Sequence, residues 1–329
     1  MADGSARTFA LDLVRTGAPR RGGRARGEHC SPVRELASNK VHPFVSQNGN
    51  LLALDTVRLS PGQAGLLSGW GLFTTVRLYQ GQPFAFERHW QRFQRDAART
   101  HLPFDFSQGK VLADLLELAR VNRAADAVAR LYFIYNKFGF WQSDELAPVV
   151  DVLMYTADLP THSEAAHLSI QPQGRHAASP LAGTKVTSWL QNVWSLEHAR
   201  KRGYDEVILL NERDEVAECT AANIFVVKNG QIATPPLSSG CLAGVTRDIL
   251  IELARDLSHP VAEQILQQDD LMQADEVFIT STTRHVQPVA QIEDRRLAHA
   301  PGAMTLRLAQ AFSEYVQQYF ARRVARSAS

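Results

Sequence analysis

The sequence predicts a two-domain α/β protein in which strands and helices are mixed (α+β). Its 329 residues, 45% of them hydrophobic, are enough to bury two cores. Short apolar runs typical of strands are separated by longer stretches whose apolar residues have helical spacing. Residues 172–183 are rich in proline and glycine and have the composition of a linker. We therefore expect a first, small domain over residues 41–171 and a second domain over residues 184–329.

The charge balance and the cysteine content exclude several classes of protein. The net charge is +1, so the composition gives no reason to expect nucleic acid or an anionic membrane as a partner. No apolar run approaches the length of a membrane span. The cysteines are Cys30, Cys219 and Cys241, an odd number without metal-ligand spacing. These features predict a cytoplasmic protein with free thiols and no metal site.

Residues 1–40 have a different composition from the rest of the chain. Four arginines between Arg20 and Arg26 alternate with glycines, and such a segment cannot bury a core. A disordered basic tail is the favoured interpretation. A targeting peptide and an electrostatic arm for a partner are the alternatives, although Asp3, Asp12 and Glu28 count against the first.

The first domain is predicted to contain two hairpins, two helices and three further strands. Asn48-Gly49, a dipeptide that favours a type I′ turn, joins the strands of the first hairpin, and Gln80-Gly81 joins those of the second. The remaining elements are helices over 87–100 and 111–120 and strands over 127–135, 149–155 and 167–171.

The second domain is predicted to be built from short strands and three main helices. The expected helices cover approximately 193–202, 245–257 and 303–322, and the expected strands include 206–210, 216–218 and a hairpin around Asn229-Gly230.

Three chemically useful groups occur in order between Gly183 and Arg247. Lys185 lies in a Gly-Thr-Lys context, Glu218 opens a Glu-Cys-Thr-Ala-Ala-Asn segment, and Gly244-Val245-Thr246 lies at a predicted helix start. A lysine or a glutamate alone is usually a solvated surface residue. A lysine amine, a carboxylate and a helix N-terminus that can hold a phosphate are, however, what an enzyme of pyridoxal 5′-phosphate (PLP) needs.

From Val41 to the C-terminus, the chain resembles the class IV (fold type IV) PLP enzymes. These comprise branched-chain aminotransferases, D-amino-acid aminotransferases and 4-amino-4-deoxychorismate lyases. The resemblance implies a small N-terminal α/β domain, a larger C-terminal pseudo-barrel domain that binds PLP, and a homodimer.

The resemblance also implies roles for individual residues around the cofactor. Lys185 matches the lysine that forms the Schiff base and then acts as general base, and Glu218 matches the carboxylate at the pyridine nitrogen. His89-Trp90-Gln91-Arg92-Phe93 resembles the His-x-x-Arg-Leu motif, so the arginine that binds the phosphate is Arg92. The remaining implied contacts are the ring-packing Leu242 and the phosphate-binding Gly244, Val245, Thr246 and Thr282.

Three residues are candidates for binding the substrate. Phe73 lies in a glycine-bracketed strand that resembles the family's substrate-facing strand. Arg130 interrupts an apolar strand, where a charge must be paired or must face a cleft, so it is either a carboxylate binder or part of a structural ion pair. Arg284, next to His285, is the second candidate for the carboxylate, with solvation in a loop as its alternative.

The family resemblance favours transamination, the commoner activity in the family, between an amino acid, with branched-chain ones among the candidates, and a 2-oxo acid. Phe73-Thr74-Thr75 and the segment from Glu218 resemble the lyases instead, whereas Thr280-Ser281-Thr282-Thr283 resembles the D-amino-acid enzymes. A lyase that releases pyruvate and 4-aminobenzoate is therefore the alternative. A degenerate PLP-binding homologue is a third hypothesis, against which the complete residue set argues.

Overall fold

The computed structural model describes residues 40–59, 64–136 and 148–327. The predicted basic tail, apart from Lys40, lies outside the described residues. Within these ranges, no helix combines the length and the hydrophobicity needed to cross a lipid bilayer.

The first half of the described chain forms an antiparallel sheet. In the described residues this sheet has six strands in the order β2-β1-β6-β5-β3-β4. The strands are β1 (Val41–Gln47), β2 (Asn50–Ala53), β3 (Gly71–Tyr79), β4 (Gln82–Pro83), β5 (Asp126–Tyr135) and β6 (Val150–Ala157). Asn48 and Gly49 both have positive φ, 53° and 82°, as a type I′ turn requires. Both predicted hairpins are therefore confirmed.

Two amphipathic helices cover one face of this sheet. The helices of this part are α1 (Ala64–Ser68), α2 (Phe86–Thr100) and α3 (Gln108–Val121), and a 3₁₀ turn covers Leu54–Thr56. Ser107 caps α3 by accepting a hydrogen bond from the backbone N–H of Lys110. Trp90 and Phe93 of α2 pack edge-on against Phe133 of β5. The apolar stripe of α2 therefore lies on the sheet, and its opposite edge can carry polar side chains.

The second half of the chain forms a larger, mixed sheet. Its order in the described residues is β12-β11-β10-β13-β14-β7-β8-β9, with β15 paired to β14. The strands are β7 (Ala166–Gln171), β8 (Glu206–Leu210), β9 (Val216–Cys219), β10 (Asn223–Lys228), β11 (Gln231–Thr234), β12 (Val261–Glu263), β13 (Glu276–Ser281), β14 (His285–Ile292) and β15 (Arg295–Arg296). Together the two sheets and their helices confirm the predicted fold class.

Strand β7 differs from the prediction. The sequence assigns it to the end of the first domain, but it pairs in parallel with β8 and β14 of the second sheet. The change of sheet therefore falls between β6 and β7, before residue 166, and not at residues 172–183. Residues 172–183 instead connect β7 to the helix that precedes β8.

The helices of the second half pack on the larger sheet. They are α4 (Leu190–Lys201), α5 (Val245–Asp256), α6 (Gln268–Met272) and α7 (Ala303–Ser327), with a 3₁₀ turn at Leu237–Ser239. Successive residues of a strand point to opposite faces of the sheet. Phe225 and Phe278 therefore pack towards α5 and α7, whereas Ile224 and Ile279 pack into a second hydrophobic core on the opposite face. Helix α5 therefore packs, through Val245, Ile249 and Leu250, on the face of the sheet that carries Phe225 and Phe278.

Candidate active site

All eleven residues that the sequence predicts for the site line one cavity of about 580 Å³. Both sheets contribute to its walls. The eleven are Phe73, Arg92, Arg130, Lys185, Glu218, Leu242, Gly244, Val245, Thr246, Thr282 and Arg284. Residues that are up to 211 positions apart in the sequence therefore meet at one place, which no single motif required.

Lys185 lies in the connection between β7 and α4, where contacts with the first sheet fix its backbone. Its C=O accepts a hydrogen bond from the N–H of Phe73 at 3.0 Å, and its own N–H donates to Asp96 Oδ2 at 3.1 Å. The Lys185 Nζ atom is 4.4 Å from the centre of the Phe73 ring. The amine has no carboxylate partner within the described part of the chain.

The surroundings of Lys185 favour its neutral amine. Burial lowers the pKa of Lys185 to about 7, and the positive charges of Arg92 and Arg130 act in the same direction. Glu218 and Asp96 oppose this shift. An amine with such a pKa is neutral in a large fraction of molecules near pH 7, and only the neutral form can attack a carbonyl carbon or accept a proton.

Glu218 is held by two partners on opposite sides of its carboxylate. Its Oε1 atom is 2.8 Å from Arg175 Nη2, and its Oε2 atom accepts the backbone N–H of Leu242 at 3.1 Å. The carboxylate also lines the cavity. The sequence does not identify Arg175, since it lies in the segment predicted as a linker and nothing local indicates its partner.

The N-terminus of α5 forms another wall of the cavity. Gly244 precedes the helix and has no side chain to cap it, and Gly244, Val245 and Thr246 line the cavity. The first N–H groups of α5 are therefore available to a bound anion. A Cβ atom on Gly244 would lie 2.1 Å from Asn223 Oδ1, which explains the glycine. The amide of Asn223 donates to the C=O of Leu242 at 2.8 Å and so supports the loop that enters α5.

Arg92 reaches the cavity from α2 and is oriented by a buried pair. Its Nη2 atom donates to Thr74 Oγ1 at 2.6 Å, and this hydroxyl is 2.8 Å from His89 Nδ1. Burial lowers the pKa of Arg92 to about 10. Burial, together with the positive charge of Arg92, also holds the pKa of His89 well below its usual range. His89 is therefore neutral, and it shares a hydrogen bond with the Thr74 hydroxyl without adding a second positive charge beside Arg92.

The two candidate carboxylate binders differ in their pairing. Arg284 is not solvated: its side chain is 6% exposed and its Nη2 atom is 3.3 Å from Glu206 Oε2. Arg130 has no ion pair or hydrogen bond with any described residue, and its Nε atom is buried without a partner. Its guanidinium carbon lies 5.0 Å from the centre of the Phe73 ring. Of these two arginines, Arg130 is therefore the one whose charge no described carboxylate compensates.

Other cavity residues were not predicted as site residues from the sequence. Thr75 and Tyr155 lie directly across from Arg130 on the neighbouring strands and line the cavity with it. Thr280 is buried, lines the cavity, and has a hydroxyl without a partner in the described residues. For Thr75 and Tyr155, the register opposite Arg130 is the signal that could have identified them, but it requires the pairing of the strands.

The polar groups of the cavity fit PLP. An amine suited to an aldehyde, a carboxylate held beside a cavity wall, and an arginine near a helix N-terminus match its three functional parts. Thr246 and Thr282 add hydroxyls, and the unpartnered Thr280 hydroxyl is a further donor for an anion. The donor set therefore suits a phosphate ester that carries a carbonyl group.

Comparisons with known proteins agree with this chemistry. The branched-chain-amino-acid aminotransferase of Escherichia coli (strain K12) is 26% identical over 288 residues, which cover 84% of this chain and 93% of that protein. The D-alanine aminotransferase of Staphylococcus aureus (strain N315) is 24% identical and covers 83% of this chain and 97% of its own length.

Solved structures are similar over the same part of the chain. The branched-chain amino acid aminotransferase of E. coli superposes with a TM-score of 0.77 at 25% identity, over 84% of this chain and 95% of that one. The enzyme of Thermoproteus uzoniensis, solved with norvaline, gives a TM-score of 0.75 at 26% identity, over 84% and 96%.

A sequence model of one family, Amino-transferase class IV, matches residues 71–292, which hold every cavity residue predicted from the sequence. This family uses PLP. The chain belongs to the class IV aminotransferases.

Proposed function

We propose that this protein is a PLP-dependent aminotransferase that moves an amino group between an amino acid with an apolar side chain and a 2-oxo acid. The convergence in one cavity of a lysine amine with a lowered pKa, the Glu218–Arg175 pair and the unpaired Arg130 carries this proposal. Branched-chain amino acids are the first candidates, because several relatives are named for them.

Lys185 is proposed to hold the cofactor and to move the substrate's proton. When bound, PLP supplies an aldehyde for the amine and a ring that withdraws electrons from the substrate's α-carbon. A neutral Lys185 amine can accept the proton from that carbon and return it at another position. Its fixed backbone limits how far the amine can move between these positions.

Glu218 is proposed to hold a proton on the cofactor's pyridine nitrogen. Arg175 pairs with the carboxylate at 2.8 Å, and the N–H of Leu242 fixes its direction. An ionised carboxylate raises the proton affinity of a nearby nitrogen by direct charge attraction. This role needs both the negative charge and its orientation.

Arg130 is proposed to bind the substrate's carboxylate. An anion in a cavity needs a cation whose charge is not already neutralised. Arg130 meets this condition, whereas Arg284 is already paired with Glu206. Beside Arg130 and Thr75, the cavity wall carries the apolar or aromatic side chains of Val41, Phe73, Val128, Tyr155 and Ala157. This lining suits an apolar side chain, which burial stabilises by roughly 0.8 kcal/mol per methylene.

Half-reactions with a panel of substrates test the proposed function. The purified protein loaded with PLP is mixed with L-Leu, L-Glu, D-Ala or aminodeoxychorismate, and the products are identified. We expect L-Leu to yield its 2-oxo acid while the amino group stays on the enzyme. Rapid pyruvate release from aminodeoxychorismate, with no amino-acid half-reaction, would instead identify a lyase.

Replacing Arg130 with methionine should weaken amino-acid binding. We expect KM for L-Leu to rise by about 10- to 100-fold, because a hydrogen bond to a charged group contributes roughly 1.5–3 kcal/mol. The matched variant is Arg284→Met, which removes a cation already paired with Glu206. It should lower the thermal stability, and it should change KM for L-Leu by less than Arg130→Met does. A larger KM effect in Arg284→Met would reverse the assignment.

Replacing Arg92 with alanine should weaken retention of PLP more than Thr246→Val or Thr282→Val. A charge-assisted contact to phosphate is roughly twice as strong as a neutral hydrogen bond. Equilibrium dialysis of the apoprotein measures the dissociation constant. Arg88→Ala is the matched control on the same helix, because Arg88 pairs with Glu252 and does not line the cavity. Unchanged PLP binding in Arg92→Ala would refute the phosphate role.

The protein is proposed to be a homodimer, as the family resemblance implies. Helix α4 supports this proposal with an apolar face of Leu190, Val193 and Trp194, each at least 43% exposed. Sedimentation should give twice the mass of the chain, and Trp194→Glu should shift it towards the monomer. Leu306→Glu, at an exposed leucine of α7, is the control. A wild-type protein that is monomeric at micromolar concentration and fully active would contradict the proposal.

A further inference from the structure

One edge of α2 carries three charged residues at four-residue spacing: Arg88, Arg92 and Asp96. Such residues lie above one another on a helix. Each points to a different part of the structure: Arg88 pairs with Glu252 of α5, Arg92 enters the cavity, and Asp96 contacts Lys185. Helix α2 therefore contacts both α5, whose N-terminus is the proposed phosphate site, and Lys185, which carries the amine.

Asp96 is buried and its two oxygens have separate partners. Its side chain is 2% exposed. The Oδ1 atom accepts from Arg95 Nε and Nη2 at 3.1 and 2.8 Å, and the Oδ2 atom accepts the backbone N–H of Lys185 at 3.1 Å. Arg95 is 41% exposed and lies next to Asp96 in the chain, so it can reach water instead. The contact with Lys185 joins residues 89 positions apart.

We propose that Asp96 is a positioning residue that holds Lys185 at the cofactor's aldehyde by fixing its backbone N–H. The C=O of Lys185 is fixed as well, because it accepts a hydrogen bond from the backbone N–H of Phe73. Thr187 continues this attachment, since its N–H donates to the C=O of Gly71. Between these points, Asp96 supplies the acceptor for the Lys185 N–H and ties the amine to the helix that bears Arg92.

The carboxylate also contributes charge to the cluster of cations in the cavity. Asp96 raises the pKa of Lys185 and of Arg92 against the larger effect of burial. An asparagine retains an acceptor oxygen but loses this charge, whereas an alanine loses both. The two substitutions therefore separate the positioning of Lys185 from the charge of Asp96.

Two ligands distinguish positioning of Lys185 from general support of the cavity. This test rests on the proposed function, in which PLP reacts with Lys185. Pyridoxine 5′-phosphate has the ring and the phosphate of PLP but no aldehyde, so it cannot bond to the lysine. Dissociation constants of both ligands are measured on apoprotein, with thermal stability recorded for each variant.

In Asp96→Ala we expect PLP binding to weaken by about tenfold or more, since an unsatisfied buried N–H has a cost of that order. Binding of pyridoxine 5′-phosphate should change by less than about threefold, because its phosphate contacts remain. Asp96→Asn should bind PLP within about threefold of wild type. Arg95→Ala, which removes only the other partner of Asp96, should match wild type for both ligands.

Equal weakening of both ligands in Asp96→Ala, or the same PLP loss in Arg95→Ala, would overturn the proposal. If Asp96→Ala does not fold, Asp96→Ser provides the same comparison, because its shorter side chain cannot span the distance to Lys185. A wild-type protein that binds neither ligand would count against the proposed function. If the wild-type protein binds both ligands and neither Asp96→Ala nor Asp96→Ser weakens PLP binding, the result would count against the role of Asp96 alone.

Discussion

Lys185→Met is expected to lower the transamination rate by about 10⁴-fold or more, the largest effect of any single substitution. The substitution removes both the group that holds the cofactor and the base that moves the substrate's proton, and a positioned base alone contributes roughly 10²- to 10⁴-fold. The measurement is kcat with L-Leu and a 2-oxo acid at saturating PLP. Lys228→Met is the control, because Lys228 pairs with Gln273 outside the cavity. Comparable losses in both variants would contradict a specific role.

The lowered pKa of Lys185 predicts a pH dependence with a definite sign. PLP uptake by apoprotein should rise with pH and reach half its maximum near pH 7, where the amine loses its proton, and not near the ordinary lysine value of 10.5. Between these two values the unfolded chain binds a proton that the folded site does not, so Lys185 makes the free energy of unfolding increase with pH across that window. Lys185→Met should remove this contribution.

Glu218→Gln is expected to retain PLP but to lower kcat by about 10²- to 10³-fold, the cost of removing one preorganised electrostatic partner. Glutamine keeps the shape and can still accept the N–H of Leu242, but it has no charge to hold a proton on the pyridine nitrogen. Stopped-flow half-reactions with L-Leu separate this chemical step from binding.

The same hairpin offers a matched control for Glu218. Glu215 is also a buried glutamate paired with an arginine, Arg213, at 2.7 Å, but it does not line the cavity. Glu215→Gln should therefore reduce stability while leaving the rate of the loaded enzyme near that of wild type. Wild-type rates in Glu218→Gln, or equal losses in the two variants, would remove Glu218 from the chemistry.

The sequence predicts the elements of the fold well where the pattern is local. Apolar spacing identifies α2, α3, α5 and α7, and Asn48-Gly49 identifies a turn that needs positive φ at both positions. The partner of β7 could not be predicted in this way. An apolar strand has the same pattern in either sheet, and only long-range pairing with β8 and β14 decides between them.

The site shows the same division between local and distant information. Lys185, Glu218 and Thr246 could be identified because each lies in a short segment whose residues occur together. Arg175 and Asp96 could not, since their importance depends on partners 43 and 89 positions away. Arg284 was expected in a loop where solvation was the alternative, but Glu206, 78 positions away, pairs with it in a buried position. Charge pairs across a fold leave no periodic signal in the sequence.

The attachment of PLP to Lys185 is the central claim, and one measurement tests it directly. The protein loaded with PLP is reduced with borohydride and digested, and the peptides are mapped by mass spectrometry. We expect the pyridoxyl group on the peptide that contains Lys185, and a visible absorbance band that is lost on reduction. A pyridoxyl group on Lys137, Lys201 or Lys228, with the Lys185 peptide unmodified, would contradict the claim.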